Sequence, residues 1–428
     1  MTTLIRGRTL TFHREPHGPG DTGAYTYEDD GALLVRDGKI VQVGPFDAIT
    51  APVDAQIIDH RPHLILPGFI DTHLHFPQAQ IIASWAAELL DWLNTYTFPA
   101  EAAFADAKHA ARIAPAFFDQ LIAHGTTTAA AYCSSHPTSV DAYFTEAARR
   151  NMCMIGGKVM MDRNAAPGVH DTAQSGYDDS KALLTRWHGR GRAHYAISPR
   201  FAITSTPGQL AVAQALAREH PDCHIQTHLS ESHAEIKLTL ELYPDARDYT
   251  DIYETYGLLG PRSLFGHAIH LNDRERSVLA ETNSVAVFCP TSNLFLGSGL
   301  YDAATLKSAG VRRAIATDIG GGTSWSMLRT LDEGYKALQL QGQQMDPLTS
   351  YWWITRGNAE ALGLAHDIGT LEVGTTADLV VLDARATSAM ALRADTISSL
   401  SEELFLLQTL GDDRAVTQTY VAGKPQKS

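Results

Sequence analysis

Two histidines set two residues apart in PGFIDTHLHFPQ are the first side chains whose types and spacing could do chemistry. Side chains alternate faces along a strand, so His73 and His75 point the same way and their imidazoles can converge on one ion. Chance pairs are expected among 19 histidines, but this pair follows Asp71 and a Pro67-Gly68 opening, completing a D-x-H-x-H unit. Two further polar strand ends offer the missing ligands. QTHLSES puts His228 at the end of a strand and Glu231 where the chain leaves it, one a candidate ligand and the other a candidate proton carrier. In AIATDIGGG, Asp318 ends an apolar run, a costly place for a carboxylate without a partner. The glycines at 320–322 would let the backbone turn closely above a site. Taken singly, His228 reads as well as a core histidine, and Asp318 as a helix N-cap. Taken together, three histidines and a carboxylate make the donor set of a mononuclear zinc site with room for a water, and iron would suit the same donors.

Such residues need a scaffold that gathers strand ends. The runs FIDTHLHF, TTTAAAY, MIGGKVMMD, AHYAISPR, CHIQTHLS, SLFGHAIH, SVAVFCP and RRAIATD alternate with amphipathic stretches such as GQLAVAQALAREH. That alternation is the grammar of a parallel α/β fold, and eight such runs suffice for a closed (β/α)8 barrel of the TIM type, whose chemistry sits at the C-terminal strand ends. The candidate ligands then fall on strands one, five and eight. The chain ends read differently. GALLVRDGKIVQVG sets two strands about an Asp37-Gly38 turn, and GTLEVGTTADLVVLDA and TQTYVAGKP repeat that pattern near the C-terminus, so the two flanks could share one sheet. Tyr351-Trp352-Trp353 and the following helix with Asn358 read as barrel packing.

At 428 residues the chain exceeds one ordinary core, which suggests a large domain with a smaller companion. Its 44% hydrophobic and 19% charged residues are globular, and the formal charge of −14 opposes attraction to nucleic acid or anionic lipid. The start, MTTLIRGRTLTFHREP, has no apolar signal core, so the cytoplasm is expected. Cys133, Cys153, Cys223 and Cys289 form no C-x-x-C pair and read as buried free thiols. H-x-E occurs at His13-Glu15 and His233-Glu235 without a following P-C-x-x-C, which excludes the Cys-ligated nucleobase deaminase fold.

D-T-H-L-H, H-L-S-E, F-G-H and A-T-D in this order resemble the amidohydrolase superfamily. The segments LDWLNTYTFPAE, GTTTA, GKVMMD, SPRFAITST, QTHLSES, LYPDARDYTDIY, CPTSNLFLGSG and TDIGGGTSWSML, with PGFIDTHLHFPQ, are similar to the guanine deaminase family over most of residues 66–330. The resemblance implies a barrel of residues 67–365 and a small β-sandwich domain from residues 1–66 and 366–428. It implies zinc, one ion per subunit, on His73, His75, His228 and Asp318. Glu231 would shuttle protons, Asp318 would share that work, and His267 would orient the water and the developing oxyanion. Gln78, Arg200 and Phe201 would hold the purine, with His75, His228 and Glu231 bordering it. The residue types agree: Arg200 offers a rigid fork of donors, and an amide such as Gln78 can donate and accept at a purine edge. The implied substrates are guanine and water and the implied assembly is a homodimer. A related enzyme acting on 8-oxoguanine, a triazine or a cytosine-like ring is the competing expectation. Lys158, in GKVMMD on the third run, could be mistaken for a carboxylated bridging lysine, but the fourth run ends in Arg200, so one metal is expected.

Overall fold

A computed structural model describes residues 2–18, 20–85 and 89–427. Four strands come first: β1 (Thr2–Phe12), β2 (Tyr25–Arg36), β3 (Lys39–Pro45) and β4 (Gln56–Pro67). The next nine are β5 (Phe69–His75), β6 (Thr126–Tyr132), β7 (Cys153–Gly157), β8 (Val159–Met160), β9 (Ala193–Pro199), β10 (His224–Leu229), β11 (Ser263–His267), β12 (Val285–Phe288) and β13 (Arg312–Ile315). The chain ends on β14 (Leu379–Leu382), β15 (Val416–Val421) and β16 (Lys424–Pro425).

Strands β5, β6, β7, β9, β10, β11, β12 and β13 pair in that order, all parallel, with β8 as a short extension beside β9. These are the eight runs singled out in the sequence, and they form a (β/α)8 barrel. Every residue of β5, β6 and β10 is buried, as befits strands with a core on one face and helices on the other. The helix Ala107–Ala123 shows how the outer layer is specified. Its buried residues Ala110, Ile113, Ala114, Phe117, Phe118, Leu121 and Ile122 recur at the helical period, and Asp106 caps its start by accepting from Lys108 N. Phe118 is fully buried, and its truncation to alanine would cost about 3–5 kcal/mol.

The seam between the last and first strands is closed by polar groups. Asp318 N donates to His73 O at 2.9 Å, and His75 N donates to Ile319 O. Asn358 clasps the same seam: its Nδ2 donates to Ile70 O at 2.7 Å and to Ile315 O at 2.8 Å, while its Oδ1 accepts from Ile315 N at 3.1 Å. The buried Tyr351-Trp352-Trp353 stretch thus leads into a hydrogen-bonding clasp as well as into packing.

Both chain ends enter one seven-stranded sheet ordered β16-β15-β14-β4-β1-β2-β3. Strand β4 joins them, parallel to β1 and antiparallel to β14. The β2–β3 hairpin turns at Asp37 and Gly38, both at positive φ (51° and 83°), the backbone of a tight two-residue turn. Alternation divides the sheet's two faces. Ile65, Leu379 and Val381 join Ile5, Leu33 and Val35 in the sheet's own core, while Leu64, Leu66, Val380 and Leu382 belong to the large core shared with the barrel helices.

Candidate active site

The first strand carries a bulge. Its ladder with β6 slips between Asp71 and Leu74, so Ile70 lies in the barrel's inner core, Leu74 packs outward, and His73 and His75 face the mouth. Asp71 points to neither: it accepts from Thr317 N at 3.1 Å, from Thr317 Oγ1 and from His73 N at 3.3 Å. It ties the first strand to the residue before Asp318, and burial pushes its carboxyl up to about 6. Gly266 lets the rings close in, since a Cβ there would overlap the His73 imidazole. At Gly320 a Cβ would stand 2.7 Å from Gln78 O, so the turn above the site needs glycine.

Four of the expected ligands converge. His73 Nε2 and His75 Nε2 lie 3.4 and 3.3 Å from Asp318 Oδ1, and His75 Nε2 lies 3.2 Å from His228 Nε2. Donor atoms about 2.05 Å from a common ion at tetrahedral angles stand about 3.3 Å apart. The hydrogen-bond pattern agrees with that spacing. His228 Nδ1 donates to Arg200 O at 2.7 Å, which leaves the Nε2 lone pair free. Both nitrogens of His73 and Nδ1 of His75 are buried without a partner. Burial lowers the imidazole pKa of His75 and takes that of His228 far down, keeping both neutral. Burial opposes ionisation of Asp318 too, but the adjacent His73 and His75 rings outweigh it and hold the carboxyl well below its usual range. A neutral-imidazole, ionised-carboxylate donor set fits a divalent cation. Asp318 caps no helix, as the next one begins at Met327 behind Ser326.

Cys289 also reaches this cluster, its sulfur lying with donor atoms of His73, His267 and Asp318 within 4.8 Å of one another. Burial pushes its thiol far up, so it stays protonated, and all four cysteines are buried and free. Lys158 is fully buried in an ion pair with Asp171 and lines no part of the mouth cavity.

Glu231 and His267 face each other across the mouth, Oε2 to Nε2, at 3.4 Å, and His267 Nε2 is 3.8 Å from Asp318 Oδ2. Two residues that sequence reasoning missed set their roles. Asn293 Nδ2 donates to His267 Nδ1 at 2.8 Å, which makes Nε2 the protonated, donating nitrogen. Ser298 Oγ donates to Glu231 Oε1 at 2.8 Å and leaves Oε2 turned to the site. Burial, reinforced by Glu235 and Asp318, pushes the Glu231 carboxyl far above its usual range, and burial takes His267 down to about 3. His267 and Asp318 both sit in the left-handed region, at φ 69° and 53°, strain of the kind that concentrates at functional sites.

A cavity opens beside these groups, bounded by Gln78, Trp92, Leu93, Arg200 and Phe201 and floored by His75, His228, Glu231, His267 and Asp318. A third missed residue, Glu101, organises its polar wall. Its carboxylate accepts from Arg200 Nη1 at 2.7 and 2.8 Å and from Gln78 Nε2 at 2.9 Å. Gln78 Oε1 in turn accepts from Gly320 N at 3.2 Å. Arg200 is therefore both a salt-bridge partner and a cavity residue.

A barrel with a mouth-facing His/His/His/Asp cluster, a buried carboxyl and an apolar slot is the architecture of a metal-dependent hydrolase. The amidohydrolase family pattern matches residues 64–425, and a short match to an imidazolonepropionase-like composite domain of bacteria falls on residues 31–51, in the β2–β3 hairpin. The guanine deaminase of Escherichia coli K12 is 44% identical over 423 residues, covering 98% of this chain and 96% of that protein. The solved E. coli guanine deaminase superposes with a TM-score of 0.97 at 43% identity, covering 100% of this chain and 99% of the other. A guanine deaminase from C. acetobutylicum solved with guanine bound in its active site superposes with a TM-score of 0.90 at 25% identity, with both chains fully covered. The chain belongs to the amidohydrolase family and, within it, to the guanine deaminases.

Proposed function

We propose that this protein hydrolyses guanine to xanthine and ammonia, with one zinc ion held by His73, His75, His228 and Asp318. The observation that carries the reading is that His75, His228 and Asp318 of the donor cluster line one cavity with Gln78 and Arg200, the two side chains that Glu101 holds. Zinc in that cluster would supply a water acidic enough to attack at neutral pH. The rest falls to side chains. Arg200 and Gln78 hold the O6 edge of the ring, with Phe201 at its side, so that C2 lies over the donor cluster. Glu231, protonated because it is buried, gives its proton to N3 as water adds to C2 and takes the first proton of that water in return. His267 Nε2–H donates to the oxygen that gains charge. Asp318, ionised, takes the second proton of the water and passes it to the amine, which leaves as ammonia.

The assay is ammonia and xanthine formation from guanine, beside adenine, cytosine and an aminated triazine. Adenine puts an amine where Arg200 needs an acceptor, and a site built to pair such groups rejects the wrong partner by about 10⁴-fold. Rapid turnover of another ring with guanine untouched would reject the assignment and leave a metal hydrolase. Among the described residues no helix is long and apolar enough to cross a membrane. The reading carries with it a cytoplasmic homodimer, and light scattering on the purified protein tests the assembly.

A further inference from the structure

Arg200 brings a guanidinium to the purine wall, so its partner decides the charge there. Glu101 is fully buried and grips Nη1 with both oxygens. Nε and Nη2 of Arg200 make no hydrogen bond to the described residues, which leaves them as donors for a ligand. Gln78 is locked through the same carboxylate, so one side chain orients both recognition groups. The positive charge beside the ring is thereby compensated inside the protein.

That compensation matters more for the product than for the substrate, an argument that rests on the guanine reading. Guanine enters as a neutral ring. Xanthine leaves with an N3–H beside the new C2 carbonyl and is the stronger acid, so part of it is an anion near neutral pH. An uncompensated guanidinium would hold that anion. We propose that Glu101 is a positioning residue that keeps the purine subsite electrically neutral, so that the acidic product is not retained.

Glu101→Gln is close in size, keeps an acceptor for Arg200 Nη1 and removes the negative charge. In that variant the xanthine inhibition constant should fall at least about tenfold, since a hydrogen bond to an unneutralised charge is stronger than one to a compensated pair. The effect should grow as pH rises through the ionisation of xanthine, and kcat and KM should fall together as product release slows. Glu101→Asp restores the charge and should move inhibition back towards wild type. The wild-type enzyme gives a test that needs no variant. Against hypoxanthine, which has the same O6–N1 edge without the C2 oxygen, xanthine should bind less well as it ionises. Unchanged xanthine inhibition in Glu101→Gln, or tightening wild-type binding as xanthine ionises, overturns the proposal. A wild-type protein that leaves guanine unconverted overturns the underlying functional reading instead, before the variants are compared.

Discussion

At the mouth of the barrel, His73, His75, His228 and His267 crowd around Asp318, with ring centroids 4.8–5.5 Å apart. At the opposite end, His188, His194 and His224 stand 6.2–6.3 Å apart in a chain of edge contacts. The two clusters differ in what the nitrogens meet. At the far end, His224 Nε2 donates to Leu362 O at 2.8 Å, and His188 accepts from Tyr195 N at 3.0 Å and meets the largely exposed Asp222 at 3.0 Å. His224 Nδ1 is left without a partner but faces no carboxylate of the described residues in hydrogen-bond reach, whereas at the mouth His73 Nε2 and His75 Nε2 both approach one buried carboxylate. Histidine count does not make a reactive site. Convergence on a buried anion does.

The sharpest way to break this contrast is to remove one histidine from each end. His73→Ala should lose the metal and several orders of magnitude in turnover, while His224→Gln should keep full metal content, as read by elemental analysis of both proteins. Equal metal loss in the two would erase the distinction. Within the mouth, Glu231→Gln separates proton transfer from metal binding: kcat should drop about 10²- to 10⁴-fold with the metal retained. Near-wild-type turnover would remove Glu231 from the chemistry. Arg200→Ala should cut kcat/KM for guanine at least about 10²-fold through lost orientation. The same change strands Glu101 as a buried unpaired charge, so denaturant unfolding should show a loss of about 3–5 kcal/mol.

The far end should speak through stability alone. Burial takes His224 down to about 4, whereas an unfolded histidine titrates near 6.5. The unfolded chain therefore binds the extra proton first, and stability is full above about pH 6.5 and falls towards pH 4, by up to about 3 kcal/mol. His224→Gln should flatten that part of the profile; an unchanged slope would assign the acid sensitivity elsewhere.

What the sequence made legible was local. His73 and His75, His228 and Asp318 each announce themselves by a polar residue ending an apolar run, and the eight runs lie in chain order around the barrel. What it hid depends on contacts made across the chain. Glu101 meets Arg200 at a separation of 99 residues, Ser298 meets Glu231 at 67, and Asn293 meets His267 at 26. In sequence each is an ordinary polar residue in a connecting segment, and only barrel closure buries it against its partner. Asp71 was visible, but the bulge beside it was not, because register depends on the neighbouring strand. Asn358 likewise looked like part of a packing helix until the seam it clasps was formed.

The central claim is that one metal ion, held at the mouth, enables the deamination of guanine. Metal-stripped protein should keep its circular dichroism, because the barrel core is apolar and independent of the ion, and should release no ammonia from guanine. Stepwise addition of zinc should then restore activity linearly and level off at about one equivalent per chain. Ammonia release by the metal-free protein, or activity that continues to rise to two equivalents, would contradict the account.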